Sequence, residues 1–331
     1  MKALVVGLGS AGTRHAENLL AAGLDEIVAC SEWRKLQQVS VRDRKIEVLT
    51  DYSVALARRP DVVFIANPTS LHISYLEKAV VQGCHVYVEK PLAASSRGLA
   101  NTWRVVTRSK AVVAVGNQLR FNECLERAKT ALKENVVGKV LHVHVDMGEY
   151  LPAYHPNEDY RTGYAARSDL GGGVLSTQIH DINYLHWLFG PFQQVSAIGG
   201  KISELEIDVE DSVSFLAKTA AGPITVHLDY LQRKPRRTMI VTGERGTLTW
   251  DYHLNTLTLS DAEGPRDIGP GTPLVRNDMF TAAISDFLAC IRTGAQPRTG
   301  FREGMMDVVI VDAVRSSFTS DRAVSVNYDL N

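Results

Sequence analysis

Through residues 1–121, short apolar runs alternate with amphipathic segments. The runs KALVV (2–6), EIVAC (26–30), DVVFIA (61–66), HVYV (85–88) and AVVAVG (111–116) are continuous and valine-rich, the pattern of parallel strands covered on both faces. IEV (46–48) is a weaker strand of the same series. Helices are predicted over 12–22, 51–58, 70–82 and 95–108, with Asp51, Ser70 and Ser95 standing where N-caps belong. Strand–helix alternation at this spacing predicts a doubly wound α/β domain.

After a further helix at 122–135 the period changes to two. Alternating strands are predicted at 139–150, 194–202, 211–220, 224–232, 237–244, 246–250 and 256–260, punctuated by Gly222-Pro223 and the turn Gly243-Glu244-Arg245-Gly246. That pattern predicts a mostly antiparallel sheet with one wetter face. Helices at 174–189, 278–293 and 302–318 complete an α+β second domain, and 261–276 reads as loop. The expected division is 1–121 and 122–331, with no internal repeat.

Composition narrows the function classes. The chain has 331 residues, 45% hydrophobic and 22% charged, with 36 basic and 37 acidic side chains. A net charge of −1 provides no global field for nucleic acid or a membrane surface, so neither partner is expected. No apolar run reaches membrane-spanning length, and the apolar stretch near Met1 is too short for a signal-peptide core. Cys30, Cys84, Cys124 and Cys290 lie far apart without metal-ligand spacing, which reads as buried thiols in a cytoplasmic protein. His142 and His144 share a strand face but lack an evident third ligand, so no metal site is expected.

Gly7-Leu8-Gly9-Ser10-Ala11-Gly12 is a GxGxxG between the first strand and the first helix. The first glycine makes the tight turn, the second admits a pyrophosphate, and the third lets helix and strand pack closely. The helix N-terminus then offers unpaired N–H groups to an anion, so the first domain is read as a dinucleotide-binding Rossmann domain. Glu32 follows Gly12 by 20 residues, the spacing of an acidic ribose ligand, and favours NAD. Ser31, Arg34 and Lys35 flank it and would instead suit the 2′-phosphate of NADP.

Five blocks, GLGSAGTRH (7–15), ANPTSLH (66–72), GCHVYVEKPLA (83–93), VGNQLRFN (115–122) and GGGVLSTQIHDINYLHWLFG (171–190), together resemble the glucose-fructose oxidoreductase / inositol dehydrogenase / MocA family across almost the whole chain. The resemblance implies NAD(P) on the first domain, contacted by the glycine loop, Asn67, Pro68, Glu89, Lys90 and Gln118. It implies a second domain with an open-faced sheet that carries the substrate and mediates assembly as a homodimer or homotetramer.

Lys90 ends an apolar strand before Pro91, where the carboxyl ends of an open α/β sheet line a ligand crevice. An ammonium there stabilises alkoxide character; the plain alternative is a surface lysine. Glu89-Lys90-Pro91 matches the family's motif, whose lysine is catalytic. His180 matches the histidine of the family's Asp-x-x-x-His pattern, which takes the hydroxyl proton; the alternative is a satisfied core histidine. Position 176 is Ser where the family has Asp, and Asn183 stands where it has a second aspartate. Either His180 is a weaker base, or an anionic substrate such as a carboxylated sugar supplies the charge, or the chemistry has been lost.

Gln118 and Arg120 match a position facing nicotinamide and substrate, with a link between domains as the alternative. Tyr160, Arg161 and Arg167 precede the glycine run on a loop whose guanidinium forks suit an anionic sugar. With Ser176 and His180 they form the expected substrate set. Arg233-Lys234-Pro235-Arg236-Arg237, the densest charge run, reads as a solvated hairpin loop. The expected activity is hydride transfer between nicotinamide and a hydroxyl-bearing carbon of a sugar, sugar acid, nucleotide sugar or cyclitol. The alternatives are a non-catalytic NAD(P)/sugar sensor and an NAD-dependent glycosidase.

Overall fold

The structure, a computed structural model, describes residues 1–33 and 36–329. Its described residues form two compact units, one of residues 1–117 and 280–305, the other of residues 118–279 and 306–329.

In the first unit the parallel strands β1 (Lys2–Val6), β2 (Glu26–Cys30), β4 (Arg44–Leu49), β5 (Val62–Ile65), β6 (His85–Val88) and β7 (Val113–Val115) build one sheet. A further strand, β3 (Gln38–Val41), pairs antiparallel with β4 at the edge. The order is β3-β4-β2-β1-β5-β6-β7, so the winding reverses between β1 and β5. The sequence pattern omits β3 because its hairpin turns at Arg42, at a φ of 53° without a glycine. Every residue of β5 is buried, as a strand covered on both faces requires.

The covering helices are α1 (Ser10–Ala21), α2 (Tyr52–Ala57), α3 (His72–Val81) and α4 (Leu99–Arg108). Asp51 caps α2, accepting from the N–H groups of Ser53 at 2.7 Å and Val54 at 3.1 Å. The other two expected caps are not used. Ser70 lies in a 3-10 turn, Thr69–Leu71, that feeds α3, and α4 starts after Gly98, whose φ is 82°.

Residues 280–305, expected in the second domain, group with the first. They come from two long helices, α8 (Arg276–Thr293) and α9 (Phe301–Ser320), and the segment between them. Phe287 packs edge-on against Phe64 and Tyr87, with ring centroids 5.8 and 5.7 Å away. Val115 of the edge strand β7 donates its N–H to Thr299 O at 2.7 Å. Gly304 approaches so closely that an added Cβ would lie 2.8 Å from the Val115 side chain.

The second unit holds a nine-stranded sheet. Its strands are β8 (Val140–Gly148), β9 (Gln194–Gly200), β10 (Ser212–Lys218), β11 (Pro223–Asp229), β12 (Arg236–Gly243), β13 (Gly246–Asp251), β14 (Thr256–Asp261), β15 (Gly264–Asp267) and β16 (Val324–Ser325). Their order is β15-β14-β13-β12-β8-β11-β10-β9-β16, antiparallel except for β8 beside β11. The short strand β15 lies within the stretch 261–276 that reads as loop. One face is apolar and buried, including Val145, Phe215, Val226, Met239 and Trp250. Helix α5 (Glu123–Lys133) lies against β13 and β14 on this unit.

The helix predicted over 174–189 is divided into α6 (Val174–Thr177) and α7 (Ile179–Phe189). The interruption is Gln178, whose amide accepts from Arg237 at 2.7 Å and donates to the Tyr154 hydroxyl at 2.6 Å. Arg237 is therefore no part of a solvated loop. It is 8% exposed and its guanidinium lies 3.2 Å from the fully buried Asp181, which also accepts from Tyr184 OH at 2.9 Å. Arg236, its neighbour on the opposite face of β12, pairs with Asp146 at 2.7 Å near solvent. Replacing Arg237 by Leu leaves a buried carboxylate without its cation, so chemical denaturation is expected to show a loss of about 3–5 kcal/mol. The same change at Arg236 is expected to cost less than about 1 kcal/mol.

Candidate active site

In the first unit the glycine loop turns from β1 into α1. Gly7 has a φ of +89°, and a Cβ on it would meet Ala66 O at 2.5 Å. A Cβ on Gly12 would lie 1.8 Å from Gly7 O, so helix and strand pack this closely only with glycine there. Gly9 caps α1 without a side-chain bond, no acidic residue stands in the first turn, and a Cβ on Gly9 would enter open space. Gly9 and Ser10 are exposed, whereas Leu8 is buried. Asn67, just past β5, has both side-chain polar atoms buried without a hydrogen-bond partner. An open helix N-terminus beside an unsatisfied amide fits a dinucleotide with donor and acceptor groups to offer.

Two histidines that carried no role in the sequence reading tie this unit's strand ends together. His15 is buried one turn into α1, and its Nε2 lies 2.7 Å from Glu89 Oε1. The other oxygen of Glu89 accepts from the backbone N–H of Lys90 at 3.1 Å. Burial alone would raise the Glu89 pKa; the bond and charge of His15, with those of Lys90, outweigh it and hold the carboxyl below its usual range. His72 places Nδ1 2.8 Å from Pro91 O and Nε2 2.9 Å from Asn67 O, joining the loops that follow β5 and β6. Burial pushes its pKa down, and a neutral ring donates to one of these carbonyls at a time. Lys90 itself is half-buried at the end of this frame, and Pro68 opens the turn after Asn67. Glu32 is exposed two residues past β2, while Ser31 is buried. Arg34 and Lys35 lie outside the described residues.

In the second unit Gln118 and Arg120 occupy a 3-10 turn, Gln118–Phe121, and both are buried. The Gln118 amide nitrogen lies 3.2 Å from Nε2 of His180, the second residue of α7. An amide donating there leaves the imidazole neutral, with its lone pair at Nε2. Asp181, next in sequence, is held by Arg237 and Tyr184. Ser176 is buried and accepts from Arg315 at 2.7 Å; the same guanidinium nitrogen reaches Glu210 at 3.0 Å. Neither Arg315 nor Glu210 carries a sequence signal, because they are 139 and 34 residues from Ser176. Arg161 pairs with Asp159 at 2.8 Å and Glu206 at 3.0 Å, Arg167 binds Asp169 at 2.9 Å, and Tyr160 accepts from the Glu206 N–H at 3.3 Å. These three side chains are thus engaged with the chain's own groups. Arg120 and Lys129 both lie over the Trp187 ring, at 4.6 and 4.3 Å. Burial, then the charge of Arg120, lowers the Lys129 pKa.

Residues 1–117 match the model of an oxidoreductase family with an NAD-binding Rossmann fold, and residues 125–249 match the GFO/IDH/MocA C-terminal domain. The chain belongs to the Gfo/Idh/MocA oxidoreductase family. Myo-inositol 2-dehydrogenase of Thermotoga maritima is 24% identical, covering 98% of each chain. The NAD(+)-dependent scyllo-inositol 2-dehydrogenase of Bacillus subtilis is 21% identical over 99% of this chain and 96% of its own. Among solved structures, levoglucosan dehydrogenase in complex with NADH superposes with a TM-score of 0.87 at 20% identity, covering 99% of both chains. The WlbA dehydrogenase of Bordetella pertussis, in complex with NADH and UDP-GlcNAcA, gives 0.83 at 19% identity over 99% of both. This Gfo/Idh/MocA protein is therefore an oxidoreductase with an NAD-binding Rossmann domain.

The glycine geometry makes paired substitutions informative. Gly9→Ala is expected to melt like the parent yet bind NADH at least about tenfold more weakly in a fluorescence titration, because its methyl group occupies the open approach to the helix N-terminus. Gly12→Ala, driven against Gly7 O, is expected to lower the melting temperature as well.

Proposed function

We propose that this protein interconverts a hydroxyl and a carbonyl on a sugar, sugar acid, nucleotide sugar or cyclitol. The observation that carries the reading is the buried imidazole of His180, its Nε2 facing the Gln118 amide, in a chain whose other unit carries an NAD-type glycine loop. The inositol dehydrogenases among its relatives, and the UDP-GlcNAcA bound by WlbA, support that range of substrates.

Bound NAD would supply a two-electron hydride acceptor at nicotinamide C4. The glycine loop and Asn67 would hold it, Glu32 taking the ribose hydroxyls. His180 accepts the hydroxyl proton at Nε2 in the oxidative direction, the Gln118 amide yielding that lone pair to the substrate hydroxyl, and returns the proton in the reductive one. Lys90 donates a hydrogen bond to the reacting oxygen and stabilises its alkoxide character. His15 and Glu89 fix the backbone from which Lys90 extends. Arg120, Ser176, Tyr160, Arg161 and Arg167 complete the proposed substrate set.

The second unit's open face carries exposed Ile198 and Leu216, which supports a homodimer or homotetramer. All four cysteines are free and buried, which suits a cytoplasmic setting.

Titration with NADH and NADPH tests the cofactor reading. NADH is expected to bind more tightly, and Glu32→Ala is expected to narrow that preference; tighter NADPH binding by the parent protein reverses the assignment. For the chemistry, NAD reduction is followed over a panel of cyclitols, sugars and sugar acids. Lys90→Ala and His180→Ala are each expected to lower turnover by about 10²–10⁴ while retaining NADH affinity. Normal turnover in either variant excludes the role given to that residue.

A further inference from the structure

Asp307, on α9, takes no part in the steps above, yet it is fully buried in the second unit. Its Oδ2 accepts from the Asn183 amide at 2.7 Å, and its Oδ1 lies 3.7 Å from Nδ1 of His186. Both neighbours are on α7, the helix that carries His180, and Asn183 stands three residues beyond it. The third group acting on this carboxylate is the Arg120 guanidinium. Arg120 lies over Trp187 and belongs to the same 3-10 turn as Gln118, whose amide faces His180 Nε2 at 3.2 Å. One carboxylate thus engages both elements that bring Gln118 and His180 together.

A buried carboxylate is a costly way to fill space; an apolar side chain would pack there more cheaply. The direction of the bond also assigns the two roles. Asn183 donates and the Asp307 carboxyl accepts; burial pushes the Asp307 pKa up, and His186, Asn183 and Arg120 act against that rise. A second carboxylate at 183 would oppose it at hydrogen-bonding distance. The carboxyl therefore resides on α9 and the amide on α7.

We propose that Asp307 is a positioning residue: through Asn183 and Arg120 it holds Gln118 against His180 and offsets the charge of Arg120, which lies over Trp187 on the helix that carries His180. The importance of this for turnover rests on the role given to His180 above, but the coupling itself does not. The ionisable groups facing Asp307 are Arg120 from the turn, His186 from α7 and Tyr328 from the C-terminal segment, whose phenol burial pushes up to about 12 with Asp307 adding to the effect. Lys129 on α5 acts on Arg120 across Trp187.

The test follows the His180 imidazole by NMR in the full chain labelled with ¹³C,¹⁵N-histidine, its signal assigned by its loss in His180→Gln. Asp307→Asn is expected to lower the His180 titration midpoint by about half a pH unit, because Arg120 is then uncompensated. The exchange variant Asn183→Asp/Asp307→Asn keeps one amide facing one carboxylate and is expected to return the midpoint to within about 0.2 unit of the parent. Arg120→Gln, which reads the same coupling from its other end, is expected to raise it, and serves if Asp307→Asn does not fold. A folded Asp307→Asn protein with an unmoved midpoint overturns the proposal. So does an exchange variant displaced as far as the single one, or an unmoved midpoint in Arg120→Gln. If the midpoints move as expected while His180→Gln retains turnover, the catalytic role of His180 falls and the coupling stands.

Discussion

The carboxylate of Glu89 is the interaction on which the first unit's strand ends depend. It is buried, where an anion is stable only with a partner, and His15 of α1 is that partner at 2.7 Å. The same group fixes the Lys90 N–H and lies so close to Gly116 that a Cβ there would stand 3.2 Å from it. A helix, a catalytic-lysine candidate and the end of β7 thus share one charge. Glu89 is therefore an internal brace, its carboxylate turned to His15 and the backbone, while the N-terminal end of α1 stays exposed at Gly9 and Ser10.

The second unit follows the same rule with different residues. Carboxylates of this unit have donors of their own: Asp181 has Arg237 and Tyr184, Glu210 has Arg315, and Asp307 has Asn183. The Gln118 amide faces the imidazole at 3.2 Å. Position 176, where the resemblance leads one to look for an acid, is a hydroxyl already engaged by a guanidinium.

What was legible in the sequence is what is local. The GxGxxG, the Asp51 cap and the paired runs of β12 and β13 are contiguous, and each dictates its own backbone. Ser70 and Ser95 mislead because a 3-10 turn and a left-handed glycine set the true helix starts. The Ser176–Arg315 and Asn183–Asp307 pairs span 139 and 124 residues, and no periodicity reports a contact across such distances. Arg237 was hidden by its company: a run of basic residues reads as one solvated surface, but strand alternation sends Arg236 outward and Arg237 into the core.

The parallel pairing of β8 with β11 has an evolutionary meaning. Parallel neighbours cannot be joined by a tight turn, so the chain between them must make a long excursion. Tyr160, Arg161, Arg167, Ser176 and His180 all lie on that excursion, outside the hydrogen-bonded ladder of the two central strands. The mostly exposed residues 155–164 of that excursion can be lengthened, shortened or rewritten while the register of β8, β11 and β12 stays unchanged. By contrast, α6 and α7 are bound to the core through Gln178, Asp181 and Asn183.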